Sequence, residues 1–343
     1  MLNPERTTVI VNPAAGSGRV GRRWIQLEPE LRGILGPVRF QSTKGPRHGT
    51  DLARQAVLDG HHTLLSLGGD GTHNEVVNGI MEASPPEGAV SFGVLPAGTG
   101  GDFARTLEVP RDPVGAARAL VDAPTSPLDL GRVTIESTSP AQVRHFVNVG
   151  TFGMSGLIDE LVKGSSTALG GRVSFFLASV RGLFRYRPAV VRLTADGKVL
   201  GTFRINTVAL GNAQFCGGGM RMAPDADPSD GWLDGVIIEQ RSIPRMLSLT
   251  ASIYRGKHTG CSFVHTFRAR RLTAEPMGDD PAYLDLDGEA PGVLPATFEV
   301  LPGALTLLGQ VRGRPAPKPP APRTVLSWPG AGPRPVPTRP RPR

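Results

Sequence analysis

The spacing of apolar positions changes partway along this chain. In its first third, short apolar runs alternate with stretches of helical spacing. Thr7-Thr8-Val9-Ile10-Val11, Thr63-Leu64-Leu65-Ser66 and Val90-Ser91-Phe92-Gly93-Val94-Leu95 read as strands, and nearly continuous apolar runs are what a sheet covered on both faces requires. A helical pattern begins near Trp24, and 49–58 and 112–120 fit helices between strands. This alternation predicts a parallel α/β sheet. After about Ser126 the texture becomes short and β-rich, at 144–149, 189–194, 198–209, 235–239, 262–272 and 296–300. Such runs, separated by turns, predict an antiparallel sandwich or barrel. The expected parts are 1–126, 127–301 and a tail at 312–343. The clearest helix expected in the second part is 172–184, apolar on most of its face and flanked by Arg172, Arg181, Arg185 and Arg187. Core packing and membrane contact both remain open for it.

Each of the three strand-like runs ends in a Gly/Pro-rich polar turn. These are Asn12-Pro13-Ala14-Ala15-Gly16-Ser17-Gly18-Arg19, Leu67-Gly68-Gly69-Asp70-Gly71-Thr72-His73-Asn74-Glu75 and Pro96-Ala97-Gly98-Thr99-Gly100-Gly101-Asp102-Phe103-Ala104-Arg105. A Gly-rich turn into a helix leaves backbone N–H groups aimed at one spot, and glycine lets a phosphate approach them. In a parallel sheet such turns gather at the carboxyl edge, where ligands bind. Three turns at one edge predict a phosphate site, with Asp70 beside it as a carboxylate suited to a divalent cation.

Carboxylates gather again later. Asp227 and Asp230 flank a Pro-containing turn, and with the backbone carbonyl of Trp232 they could hold Mg2+ or Ca2+. A solvated acidic turn would have the same composition. Leu284-Asp285-Leu286-Asp287-Gly288-Glu289 alternates apolar and acidic residues; as a strand it would carry Asp285, Asp287 and Glu289 on one face.

Composition narrows the setting. No apolar run approaches the ~20 residues that span a bilayer. Cys216 and Cys261 form no metal pattern or disulfide framework, so a reducing cytoplasm is expected, and no N-terminal stretch reads as a signal peptide. The net charge of +8 comes from the tail: 312–343 holds eight Lys/Arg and no Asp/Glu, while 1–311 balances at 30 against 30. Eleven prolines in that tail predict disorder. It is either a solvated extension or a surface for anionic lipid; nucleic acid is not expected, because aromatic residues hardly interleave the charges.

The three turns together resemble the three sequence blocks of the diacylglycerol kinase catalytic family, which includes sphingosine and ceramide kinases. Asn212-Ala213-Gln214-Phe215-Cys216-Gly217-Gly218-Gly219, the block from Ala223 through Asp234, and Leu286-Asp287-Gly288-Glu289 continue the likeness, which spans about 7–311. Gly-Gly-Asp-Gly-Thr alone also occurs in NAD kinases, and related turns in phosphofructokinases. The resemblance implies an α/β nucleotide domain like theirs, a β-rich lipid-substrate domain, and a last strand at about 302–311 returning to the first. It implies ATP as donor, Mg2+, and a lipid hydroxyl as acceptor, most simply diacylglycerol giving phosphatidic acid in phospholipid metabolism. Nucleotide contacts would be Asn12, Pro13, Ala14, Ala15, Gly16, Thr43, Gly69, Asp70, Gly71, Thr72, His73, Asn74, Glu75 and Thr99. Asp287 would be the general base, Asp227, Asp230 and Trp232 a Mg2+ site, and Glu289 a partner of Asp70 around metal. The expected setting is the cytoplasmic face of a membrane, with a homodimer open. One position departs from the family pattern: Gly101 stands where the family usually has Asn. Other lipid alcohols, a small-molecule kinase and an inactive nucleotide-binding regulator are the alternatives.

Overall fold

The computed structural model describes residues 3–98, 100–154 and 186–309. Thr99, the expected helix at 172–184 and the basic tail therefore lie outside the described residues.

The first part is a three-layer α/β unit. Strands β1 (Thr7–Val11), β2 (Arg39–Ser42), β3 (Thr63–Gly68) and β4 (Ser91–Pro96) run parallel in the order β4-β3-β1-β2. Helices α1 (Ala15–Leu35), α2 (His48–Leu58), α3 (Asp70–Glu82), α4 (Asp102–Thr106) and α5 (Pro113–Val121) connect them or follow. Side-chain alternation explains the layers. Val9, Val11, Leu65, Leu67 and Leu95 pack with Leu27, Leu31 and Leu35 of α1 and Leu120 of α5. Ile10, Leu64, Phe92 and Val94 point to the other face, against Ala53 and Ala56 of α2 and Val76, Val77 and Ile80 of α3. Asp112 starts α5 by accepting the Gly115 N–H at 2.7 Å. The run at 15–18 is not yet regular helix, since Gly16, Ser17 and Gly18 have left-handed backbone.

The second part is antiparallel and β-rich. It contains β5 (Thr125–Ile135), β6 (Gln142–Phe146), β7 (Val149–Gly153), β8 (Val190–Ala195), β9 (Lys198–Gly211), β10 (Leu233–Glu239), helix α6 (Ile243–Tyr254), β11 (Val264–Ala269), β12 (Arg271–Pro276), β13 (Tyr283–Leu286) and β14 (Ala296–Leu308). β9 turns the corner between two layers: its first half pairs with β8 and its second with β7 and β10. Phe146, Phe152, Leu193, Ile205, Leu210, Leu272 and Phe298 fill the space between.

Four details differ from the sequence reading. The run 262–272 is two strands, β11 pairing with β10 and β12 with β8 and β14. The run 144–149 is two strands, because backbone N–H groups at its centre leave the ladder for a side chain described below. The runs expected at 296–300 and about 302–311 are one strand, β14, with an irregularity between Leu301 and Leu305. It pairs antiparallel with β5 from Ala296↔Ile135 to Leu308↔Thr125, and parallel with β4 at Thr306↔Ser91 and Leu307↔Phe92. Both β5 and β14 thus run through the two parts. Finally, α6 was not expected. Its sequence buries Met246, Leu249 and Ile253, but scattered Ser, Thr and Pro mask that spacing.

Candidate active site

The parallel strands deliver their turns to one edge. The Asn12 N–H donates to the Leu67 carbonyl at 2.9 Å, Thr43 N–H to Val11 at 2.8 Å, and Ala97 N–H to Gly68 at 2.7 Å. Between these stitched turns lies a cleft of about 730 Å³. It is lined by Asn12, Pro13, Ala14, Ala15 and Gly16, by Thr43 with Lys44, Gly45 and Pro46, by Gly69, Asp70, Gly71, Thr72 and Glu75, and by Gly98 and Gly100. The loops approach so closely that a Cβ on Gly98 would lie 2.5 Å from the Gly69 Cα.

Polar side chains of the cleft brace its walls. Asn12 accepts the Ala14 N–H and donates to Thr72 Oγ1, both at 3.0 Å. Asp70 accepts the N–H groups of Asp102 and Phe103, both at 3.0 Å, and so holds the first turn of α4. Glu75 accepts from Arg47 and Gly49, both at 2.9 Å, and supports the start of α2, a neighbour rather than its own helix. Buried Asp102 pairs with Arg105 and accepts the Gly218 N–H at 2.7 Å, tying the third turn to the β-rich part. Burial first, then the charge of Asp70, pushes its carboxyl pKa up.

His73 and Asn74 do not line the cleft. At about 100° per residue, Gly71, Thr72 and Glu75 share one face of α3 and these two fall on the other. His73 is buried against Ser66 Oγ, and desolvation pushes its pKa down to about 4. Asn74 donates to the His145 carbonyl at 3.0 Å and to Asp287 Oδ2 at 2.9 Å. Asn78, one turn on, donates to Asn74 Oδ1 at 2.9 Å and accepts the His145 N–H at 2.9 Å.

Asp287 does not lie on a strand face with Asp285 and Glu289. Leu286 and Glu289 exchange backbone hydrogen bonds at 2.8 and 3.0 Å. Asp287 and Gly288 between them have φ of 53° and 91°. Two left-handed residues make a two-residue hairpin turn, for which Asp-Gly is a favoured pair. The turn swings the Asp287 carboxylate inward, under α3. There Oδ2 accepts from Asn74 and from Val147 N–H at 2.7 Å, while Oδ1 accepts Asn148 and Val149 N–H at 3.0 Å each. These are the groups that interrupt β6 and β7. Burial outweighs the four donors and pushes the Asp287 pKa up to about 6. Glu289 instead pairs with Arg144 at 3.0 Å, and Asp285 accepts the Gly288 N–H at 2.8 Å.

Asp227, Asp230 and Trp232 share one turn, but a guanidinium closes it. Asp230 accepts the Trp232 N–H at 3.0 Å and pairs with Arg268, whose Nε lies 3.3 Å from Asp234 Oδ2. Asp227 Oδ1 accepts from Ser229 N–H at 3.1 Å and its hydroxyl at 2.7 Å. Among the described residues no three His, Cys, Asp or Glu side chains are grouped as a metal site would group them. With both Asp230 oxygens engaged, the turn as it stands does not fit a Mg2+ site. Sequence reasoning missed Asp129, which accepts Gly231 N–H at 2.6 Å and Gly303 N–H at 2.7 Å. A lone carboxylate between Leu128 and Leu130 was its available signal.

Residues 6–133 match the diacylglycerol kinase catalytic domain, and 148–309 match the YegS C-terminal NAD kinase beta sandwich-like domain. A diacylglycerol kinase of Mycobacterium tuberculosis is 31% identical over 258 residues, 75% of this chain and 80% of that protein. The chain belongs to the diacylglycerol kinase family. A Bacillus subtilis diacylglycerol kinase is 27% identical over 296 residues, covering 86% of this chain and 93% of its own. A solved structure of a Bacillus anthracis diacylglycerol kinase superposes with a TM-score of 0.63 at 21% identity, covering 89% of this chain and 96% of its own, and supports the shared fold. Membership in the diacylglycerol kinase family makes this a kinase-family protein, and ATP use goes with the family. No helix among the described residues is long and apolar enough to cross a membrane.

Proposed function

We propose that this protein transfers the γ-phosphoryl group of MgATP to a lipid hydroxyl, with diacylglycerol as acceptor and phosphatidic acid as product. The observation that carries the reading is the position of Asp287. It is held by Asn74 on α3, the helix whose first turn lines the cleft. A nucleotide whose phosphates meet the N-terminus of α3 would thus lie on the helix that also holds this buried carboxylate, one turn further along.

The chemistry follows from those groups. Backbone N–H groups at the start of α3 suit the phosphates, and Lys44 at the rim adds positive charge. The acceptor oxygen attacks the γ-phosphorus, the bond to the β-bridging oxygen breaks, and ADP leaves. Asp287 receives the hydroxyl proton. With a pKa of about 6 it is mostly ionised at neutral pH, close to the range in which a general base works best. Three of its four donors are fixed backbone groups; Asn74 is a side chain. In this reading an incoming hydroxyl takes the place of the Asn74 amide. Magnesium would enter with the nucleotide, as MgATP.

The reaction would take place at the cytoplasmic face of a membrane, where diacylglycerol resides. The test is phosphorylation by the full chain, with radiolabelled ATP, of diacylglycerol in mixed micelles, alongside sphingosine and NAD. Labelled phosphatidic acid is expected. Label in sphingosine or NAD alone would reassign the acceptor, and nucleotide binding without any transfer would make the protein a nucleotide-binding regulator.

A further inference from the structure

Helix α6 shows an unusual solvent face. Its inner side, Met246, Leu249 and Ile253, is buried against β7, β9 and β10. On the outer side Leu247 is 40% and Tyr254 37% exposed. With exposed Ala251 they recur at helical spacing and form one apolar stripe. Of the exposed cations Arg255 lies beside it, Lys257 follows the helix end, and Arg245 lies about 120° round the helix from Ala251. These three have no ion-pair partner among the described residues, and the sequence from 240 through 262 contains no Asp or Glu. The nearest acidic side chain before it, Glu239, is occupied by Arg241 and His265.

An exposed apolar stripe with long, flexible cationic side chains nearby is the pattern of a helix that lies in a lipid headgroup region. The apolar side chains enter the acyl boundary and the cations meet anionic headgroups. Tyrosine suits that level, having an apolar ring and a polar tip. A chain of contacts also ties the end of α6 to the candidate active site. Gly256, just past α6, packs against Arg221 and Pro224. Gly218, in the same loop, donates to Asp102, whose own N–H is held by Asp70 in the cleft.

We infer that the outer face of α6, with Lys257, docks on an anionic lipid surface and sets the cleft beside the bilayer. The inference deepens the lipid-kinase reading and rests on it for the choice of a membrane as partner.

The test uses the full chain and two variants, Arg245→Gln/Arg255→Gln/Lys257→Gln and Leu247→Ser/Tyr254→Ser. Sedimentation with vesicles of phosphatidylcholine, alone or mixed with phosphatidylglycerol, measures binding. Turnover of detergent-dispersed diacylglycerol and thermal melting are followed beside it. Wild-type protein should bind the mixed vesicles, and the charge variant should lose on the order of 100-fold in partitioning, from three cations near the surface. The apolar variant should bind both vesicle types more weakly. Arg245→Lys/Arg255→Lys should bind like wild type. Equal vesicle binding by wild type and both folded variants would overturn the inference, even with full turnover of dispersed diacylglycerol. Loss of binding in the variants without diacylglycerol turnover in any protein would keep the docking face and sink the lipid-kinase reading. Loss of binding to a labelled DNA duplex, with vesicle binding intact, would assign the face to nucleic acid and overturn the inference.

Discussion

Gly101 is where this chain departs from the family pattern, and its backbone explains what can replace it. It caps α4 with φ of 64°, and no atom lies within 4 Å of a Cβ built on it. Asn is among the side chains that tolerate left-handed backbone best. Gly101→Asn should therefore change stability by no more than ~1 kcal/mol and lower KM for ATP with little change in kcat, the mark of added uniform binding. Unchanged KM would show that the missing amide does not matter to the nucleotide. Arg268 makes a second prediction at this scale. It neutralises Asp230 and contacts Asp234, whose pKa burial pushes up to about 6. The site is only partly buried, so Arg268→Met should cost about 2–3 kcal/mol, less than the 3–5 of a fully buried pair. Because this turn carries a guanidinium in place of a metal ion, the wild-type melting temperature should not respond to Mg2+ or to a chelator. A Mg2+-dependent rise would restore the metal assignment for Asp227 and Asp230.

The shared strands decide how the elements behave together. Phe298 and Leu307 both lie on β14, yet one is buried in the β-rich core and the other in the α/β core. Phe298→Ala should cost about 3–5 kcal/mol and Leu307→Ala about 2–5. Because β5 and β14 pair along both cores, each loss should lower a single transition seen identically by far-UV and near-UV circular dichroism. Two separated transitions would mean that the parts unfold independently. Three of the four parallel strands and their turns were legible in the sequence because their apolar runs are continuous and glycine marks each turn; β2, Arg-Phe-Gln-Ser, has no such run. The β-rich part was less so. Its strands are broken by long-range demands, such as the carboxylate that draws in the N–H groups of Val147, Asn148 and Val149. The same cause hid much of the site. A pattern can place Asn12, Gly69 and Asp70 at a turn, but it cannot report that Asn74 faces Asp287, 213 positions away. Nor can alternation reveal that Asp287 sits in a turn, since Asp-Gly fits a strand end and a hairpin equally.

Across the molecule, buried titratable groups pull stability in opposite directions with pH. Burial pushes Asp287 up to about 6 and pushes His73 and His145 down to about 4. Between about pH 4 and 6 the folded state keeps a proton on Asp287 that the unfolded chain, near 3.8, has lost. That group therefore withdraws stability as pH rises, with its full cost present above about 6. The histidines act oppositely, because the unfolded chain holds their protons up to about 6.5 and the fold does not. Asp287→Asn removes the carboxylate and leaves the histidines. Relative to wild type, its unfolding free energy should rise by ~2 kcal/mol from pH 4 to 6, most of the ~3 kcal/mol that a shift of about two pKa units carries over the whole range. Urea titrations at several pH values check this, and parallel pH profiles would show that Asp287 is not perturbed by burial. In the proposed reaction the buried carboxylate held by α3 moves the proton in phosphoryl transfer to a lipid. Single-turnover phosphorylation of diacylglycerol by wild type and Asp287→Asn, with ATP binding measured on the same samples, tests it most directly. ATP affinity should be unchanged, transfer should be slower by roughly 10²–10⁴-fold, and the wild-type rate should fall as pH drops below about 6. Transfer at the wild-type rate in Asp287→Asn would contradict this role.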